Sequence, residues 1–227
     1  QNEMEAQLQS AQQDLAQLEP RAAWLNQRIA QLSRQKLRNQ AEAARARAEQ
    51  LRKQGPAAVG DLAQANAQLA QEVMDDTAEL TSDREQLTSD EQAREQISAV
   101  LRDAQARLSL SGNSAAIGHW LWQQRLGMPS LRALQRQRQE VLQDLSDLRL
   151  RQYALADLRR SASSPAATAD RTGPDIEAQL LQLRSQQSQL SNQLTPLLAQ
   201  RVSVLEQEDR LLATAIDRGT QLRSLMD

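Results

Sequence analysis

The chain has 227 residues, 40% of them apolar, with no Phe, one Tyr and three Trp, and carries a net charge of −2. So little aromatic bulk argues against a thick globular core, and the balanced charge gives no reason to expect nucleic acid as a partner. The absence of Cys removes disulfides, thiolate metal sites and thiol nucleophiles.

The first leg is expected over residues 2–54. Leu8, Ala11, Leu15, Leu18, Ala22, Leu25, Ile29 and Leu32 step by threes and fours. That spacing lays one apolar seam along a long helix. Trp24 lies beside the seam and reads as packing. Pro20 either ends a short helix near Leu18 or bends one long helix. Gly55-Pro56 through Gly60 is the first turn, and Asp61 is the expected N-cap of a second leg reaching Leu110.

Ser111-Gly112-Asn113 forms the second turn. A short apolar helix from Ala115 to Leu126 follows, bearing Ile117, Trp120, Leu121 and Trp122, and Gly127-Met128-Pro129 breaks it. Ser130 is placed to cap a helix running from Leu131 to about Arg160. Residues 161–174, rich in Ser, Ala and Thr with two prolines, read as a flexible loop. Asp175 opens the last leg, whose seam runs from Ile176 and Leu180 to Leu222 and Leu225, with a bend expected at Pro196.

The expected fold is therefore all-α, an elongated antiparallel bundle of long coiled-coil-like helices. Residues 1–160 hold a helical hairpin, the short Trp-bearing helix and a third long helix. Residues 161–174 are the loop, and residues 175–227 form the last long helix on the same bundle.

Charge suggests which legs pair. Residues 21–53 hold nine bases against two acids, and residues 61–95 hold ten acids against two bases. Side-by-side packing of these two legs as an antiparallel hairpin is expected, with opposite charge disfavouring other pairings. Polar residues also fall on the seams: Asp76, Asp83, Asp90 and Arg94 in the second leg, and Gln187, Arg201 and Glu208 in the last. Such residues lower stability and fix register, or mark a helix that is single, bent or wet.

Little here points to catalysis. His119 is the lone histidine and has no ligand-spaced companions. There is no strand to precede a phosphate loop, and no Ser-centred nucleophile elbow. Asp75-Asp76 and Asp90-Glu91 read as solvated helix charges. No enzyme activity, cofactor or metal is expected. The basic stretch RQKLRNQAEAARARAEQLRK lacks aromatics and precedes an acidic helix, so it reads as structural. Trp120, Leu121 and Trp122 carry two readings. They either cap one end of the bundle with one Trp buried, or form a contact for a partner or a membrane surface. No apolar run approaches the roughly 18 residues that span a bilayer. The chain starts at Gln1 with no signal-peptide pattern, so a mature or excised segment is expected, with any membrane part of its parent outside these residues.

The stretch HWLWQQRLGMPSLRALQRQRQEVLQDLSDLRLRQYALADLRR resembles a segment of the large relatives of the small-conductance mechanosensitive channel, the MscK (KefA) and MscM type. A short apolar helix, a Pro-Ser helix start at Pro129-Ser130 and the run from Asp147 to Gln152 stand in the same order as in that family's long periplasmic region. LLQLRSQQSQLSNQLTPLLAQ and the leg from Asn66 to Leu110 are similar to other helices of the region. The resemblance implies a non-catalytic periplasmic domain of a tension-gated, homoheptameric inner-membrane channel that releases ions and small osmolytes on hypo-osmotic shock. The pore is then outside this segment, and the partners are other channel subunits and periplasmic or membrane-surface components. Two alternatives stay open: a periplasmic adaptor-type coiled-coil hairpin of a secretion or efflux system, and a soluble coiled-coil scaffold.

Overall fold

The structure, a computed structural model, describes residues 2–111, 115–163 and 173–225. It is an all-α bundle of five helices in chain order: α1 (Asn2–Gln54), α2 (Ala57–Ser111), α3 (Ala115–Leu126), α4 (Leu131–Ser163) and α5 (Pro174–Ser224). At 1.5 Å per residue, the 55 residues of α2 reach about 80 Å.

Neither inner proline ends a helix. α1 runs through Pro20 and α5 through Pro196. Pro56 and Pro174 instead act at helix starts, where a fixed φ and a missing N–H suit the first turn. Asp61 is not an N-cap. α2 already begins at Ala57, because the Pro56 carbonyl accepts from the Val59 and Gly60 amides and starts the helix five residues earlier. Ser130 does cap α4, its Oγ accepting from the Ala133 amide at 3.2 Å. The turn Ser111-Gly112-Asn113 lies largely outside the described residues, as does most of the expected loop at 161–174. Ser161–Ser163 belong to α4.

α2 and α5 are the two continuous members, and they run parallel. Asn66 meets Leu183, Asp83 meets Arg201 and Ser98 meets Arg218, so both sequences advance together. α1 returns antiparallel on α2, and α4 packs antiparallel on α5. α4 reaches α2 through the long side chains of Arg151 and Gln137. Three apolar clusters follow one another along this frame. Near the first turn, Ala48 of α1 meets Val59, Ala63 and Ala67 of α2 and Leu183 of α5. The central cluster joins Val73 and Ile97 of α2 to Leu145 and Leu148 of α4 and Leu198, Leu205 and Leu212 of α5. At the far end, α3 contributes Ile117 and Leu121 against Leu101 and Ala104 of α2 and Leu222 of α5. The place beside α2 and α5 is thus filled by α1, then α4, then α3.

The α1–α2 hairpin forms, but opposite charge is not what joins it. No ion pair links α1 to α2 among the described residues. The contact is a run of small side chains: Ala44 and Ala48 with Leu51 are set against Val59, Ala63 and Ala67, Ala41 is buried, and Leu37 packs on the central cluster. A Cβ on Gly60 would stand 3.2 Å from the Arg52 Cα, which measures how closely the two backbones approach. The acids of α2 pair instead with arginines of α4 and α5.

The seam of the first leg also behaves differently from expectation. Every residue from 20 to 36 is exposed, including Trp24 at 62%, Leu25 at 52%, Ile29 at 60% and Leu32 at 51%. The sequence explains why. The packed positions 37, 41, 44, 48 and 51 form a second three-four seam, one residue out of phase with the series that ends at Leu32. One residue is about 100° around a helix, so a straight α1 cannot turn both seams onto α2. Leu8, Ala11 and Leu15 lie outside the described side chains.

Candidate functional site: the aromatic and basic end of the bundle

α3 is only 12 residues long, and its spacing divides three neighbouring residues among three environments. Ile117 and Leu121, one turn apart, point into the bundle and are buried against α2 and α5. Trp120 is half-buried on the same cluster, and the Arg107 guanidinium of α2 lies 4.3 Å from its ring centroid. Trp122 faces outward and is 56% exposed, with His119 stacked on it at 6.3 Å between ring centroids and 17° between planes. The His119 Nε2 is 3.0 Å from the Gln123 amide nitrogen. Of the three residues singled out in sequence, Leu121 is core, Trp120 is anchored at its edge, and Trp122 alone is presented. Leu126 (72% exposed) and Leu110 (86% exposed) stand with it at this end.

Beside Trp122 the chain breaks at Gly127, Met128 and Pro129 before α4 begins. A cavity of about 400 Å³ opens at this break. Ile97, Leu134 and Leu222, all apolar, line its depth, while Arg125 of α3, Arg132 of α4 and Arg223 of α5 line its exposed side. Among the described residues no acidic side chain lines it, and none of these three arginines forms an ion pair. Sequence reading missed these arginines because they lie up to 98 positions apart and converge only when α5 ends against the α3–α4 break. The one local signal was the pair Arg125 and Arg132 flanking GMP.

The second concentration of polar chemistry is internal. The seam residues Asp76, Asp90, Gln187, Arg201 and Glu208 are all buried, and Asp83 is half-buried. The acids with Arg201 mark a paired core rather than a single or wet helix, whereas the seam residue Arg94 buries its Nε with no acceptor among the described residues. Arg201 of α5 donates to Asp76 at 2.6 Å and to Asp83 at 2.9 Å and also pairs with Glu79. Burial alone would lower its pKa, but the hydrogen bonds to Asp83 and Asp76 outweigh that and raise it. Arg151 of α4 bonds both oxygens of Asp76, at 3.2 and 3.0 Å. About four turns from Asp76 along α2, the Gln137 amide donates to Asp90 at 2.8 Å and to Glu208 at 3.3 Å. One donor thus holds two buried carboxyl groups from facing helices. Burial, and next hydrogen bonding and charge from Asp90, push Glu208 up to about 7. Burial and the charge of Asp83 also raise Asp144 of α4. Asn66 of α2 donates to the Leu183 carbonyl of α5 at 2.8 Å. Buried polar pairs of this kind contribute little net stability, and one slip in register would leave each of them unmatched.

Among the described residues no three His, Asp or Glu side chains gather as a metal site, and no helix is long and apolar enough to cross a membrane. Comparison of the chain with protein-family models, with curated proteins and with solved structures finds no match.

Proposed function

We propose that this chain is the periplasmic N-terminal helical domain of a large mechanosensitive channel of the MscK or MscM type, attached to an inner-membrane pore that lies outside these residues. The domain is non-catalytic and acts as a stiff extracytoplasmic attachment that organises or modulates channel subunits around a common axis. The observation that carries the reading is the order of features over residues 117–160. The stretch resembling that family corresponds to α3, the Pro129-Ser130 helix start and α4 with its Asp147–Gln152 run. A rod of about 80 Å whose third helix changes along its length suits a role in transmitting contact over distance.

The test uses the parent protein in membrane patches, intact and with residues 1–227 deleted. A modulatory domain changes the tension threshold, the gating kinetics or the number of active channels. Currents unchanged in all three would remove that role, and a parent that conducts nothing under tension would remove the channel reading.

A further inference from the structure

We infer that the α3 end of the bundle is a lipid-surface contact, in which Arg125, Arg132 and Arg223 receive the phosphate of an anionic phospholipid headgroup while Trp122, Leu126 and Leu110 enter the acyl boundary. The inference goes beyond the channel reading and does not need it, since a helical domain with any parent can rest on a bilayer through this end.

Three observations carry it. The first is charge. Three arginines from three helices line one cavity that no acid among the described residues lines, and elsewhere in the bundle buried or half-buried arginines such as Arg138 and Arg201 face carboxylates. Guanidinium groups match phosphate oxygens through paired N–H donors. The second is the cavity's depth, where Ile97, Leu134 and Leu222 give an apolar wall under the cationic rim. A small hydrophilic anion would leave that wall without a partner, whereas an amphiphile has groups for both. The third is the neighbouring surface. Leu110, Trp122 and Leu126 are the most exposed large apolar side chains at this end, and Trp and Leu beside Arg are the side chains of the membrane–water boundary. Arg125 of the cavity rim sits on α3 itself, next to Leu126 and within one turn of Trp122, so the cationic rim and these apolar side chains are neighbours.

The experiment is flotation of the 227-residue chain with vesicles of phosphatidylcholine alone and of phosphatidylcholine with 30% phosphatidylglycerol, at low and high salt. Binding is expected on the anionic vesicles, with strong weakening in salt. Each arginine near an anionic surface is worth roughly a fivefold gain in binding, so R125Q/R132Q/R223Q should bind on the order of a hundredfold more weakly. All three side chains are exposed, so circular dichroism of the variant should match the parent chain. In a W24F/W120F background, Trp122 emission should shift to the blue on binding and be quenched by brominated acyl chains. Failure to float at low salt, or a triple variant that floats equally well, would overturn the inference. So would displacement of the chain from vesicles by millimolar inorganic phosphate at constant ionic strength, which would make this a site for a soluble phosphate. None of these results depends on whether the parent conducts ions, so the two readings fail separately.

Discussion

Glu208→Gln separates the buried carboxyl pair from everything else that titrates in this bundle. Glu208 is 2% exposed and shares the Gln137 amide with Asp90, so the two acceptor oxygens are no more than about 6 Å apart. Its pKa is pushed from 4.5 up to about 7, first by burial and then by Asp90. The charge of Asp83 on α2 adds to the same shift, and the Gln137 amide on α4 works against it. Below pH 4.5 the folded and unfolded chains both hold the Glu208 proton. Between 4.5 and about 7 only the folded chain holds it, so unfolding releases a proton and stability falls as pH rises. At 1.36 kcal/mol per pH unit the loss from this group totals about 3 kcal/mol by pH 8. A glutamine amide fills the same space, donates to Asp90 and does not ionise. In urea unfolding, E208Q should match the parent chain near pH 4.5 and exceed it by about 3 kcal/mol at pH 8. A difference between the two proteins that stays constant across that range would refute the reasoning.

Three further outcomes follow from the same contacts. Arg201→Met leaves Asp76, only 1% exposed at its side chain, beside Asp83 with one cation fewer, and should cost about 3–5 kcal/mol in chemical denaturation. Leu121→Ala should cost about 2–5 kcal/mol, whereas Trp122→Ala, one position along but 56% exposed, should stay within about 0.5 kcal/mol in the same assay. On α1, Ala48→Leu forces bulk into the closest helix contact and should destabilise by about 1–3 kcal/mol, while Ile29→Ala should change the melting transition very little.

The helices were legible because their signals are local. The Gly-Pro turn, the GMP break and Ser130 lie within a few residues of the boundaries they set. In α5 the three-four spacing finds the buried Leu183, Leu194 and Leu222, whereas Leu198, Leu205 and Leu212 are buried one position beyond the expected Leu197, Val204 and Leu211. The polar seam residues were also legible, since Asp76, Asp90, Arg201 and Glu208 sit where a leucine was due. Their partners were not, because hydrophobic phase says which face is buried but not which helix covers it. The same limit explains the first leg. Net charge pointed to an acid–base hairpin, yet Ala41, Ala44 and Ala48 permit a closer approach than long ion pairs would, and the acids of α2 turned to Arg151 and Arg201. The one-residue slip between Leu32 and Leu37 was present in the sequence and carried the information that α1 would leave α2. The basic cavity at the α3 end depends on Arg223 arriving from 91 residues beyond Arg132, and no short window contains that.

The parallel pairing of α2 with α5 bears on how the chain reaches this shape. Contacts across that pair join residues 116 to 125 positions apart, as in Arg84 with Gln200 and Arg201 with Asp76. Adjacent helices can meet by closing one turn, as α1 and α2 do at Gly55. The α2–α5 contact must wait for α3, α4 and the segment after them to be made and positioned, and loop-closure entropy charges for that separation before any contact rewards it. On a ribosome, α2 would emerge with its acidic seam uncovered, and Asp83 would wait for its partner until Arg201 is synthesised. The central buried network is therefore a late event in folding, completed only when the chain's last helix threads back along its second.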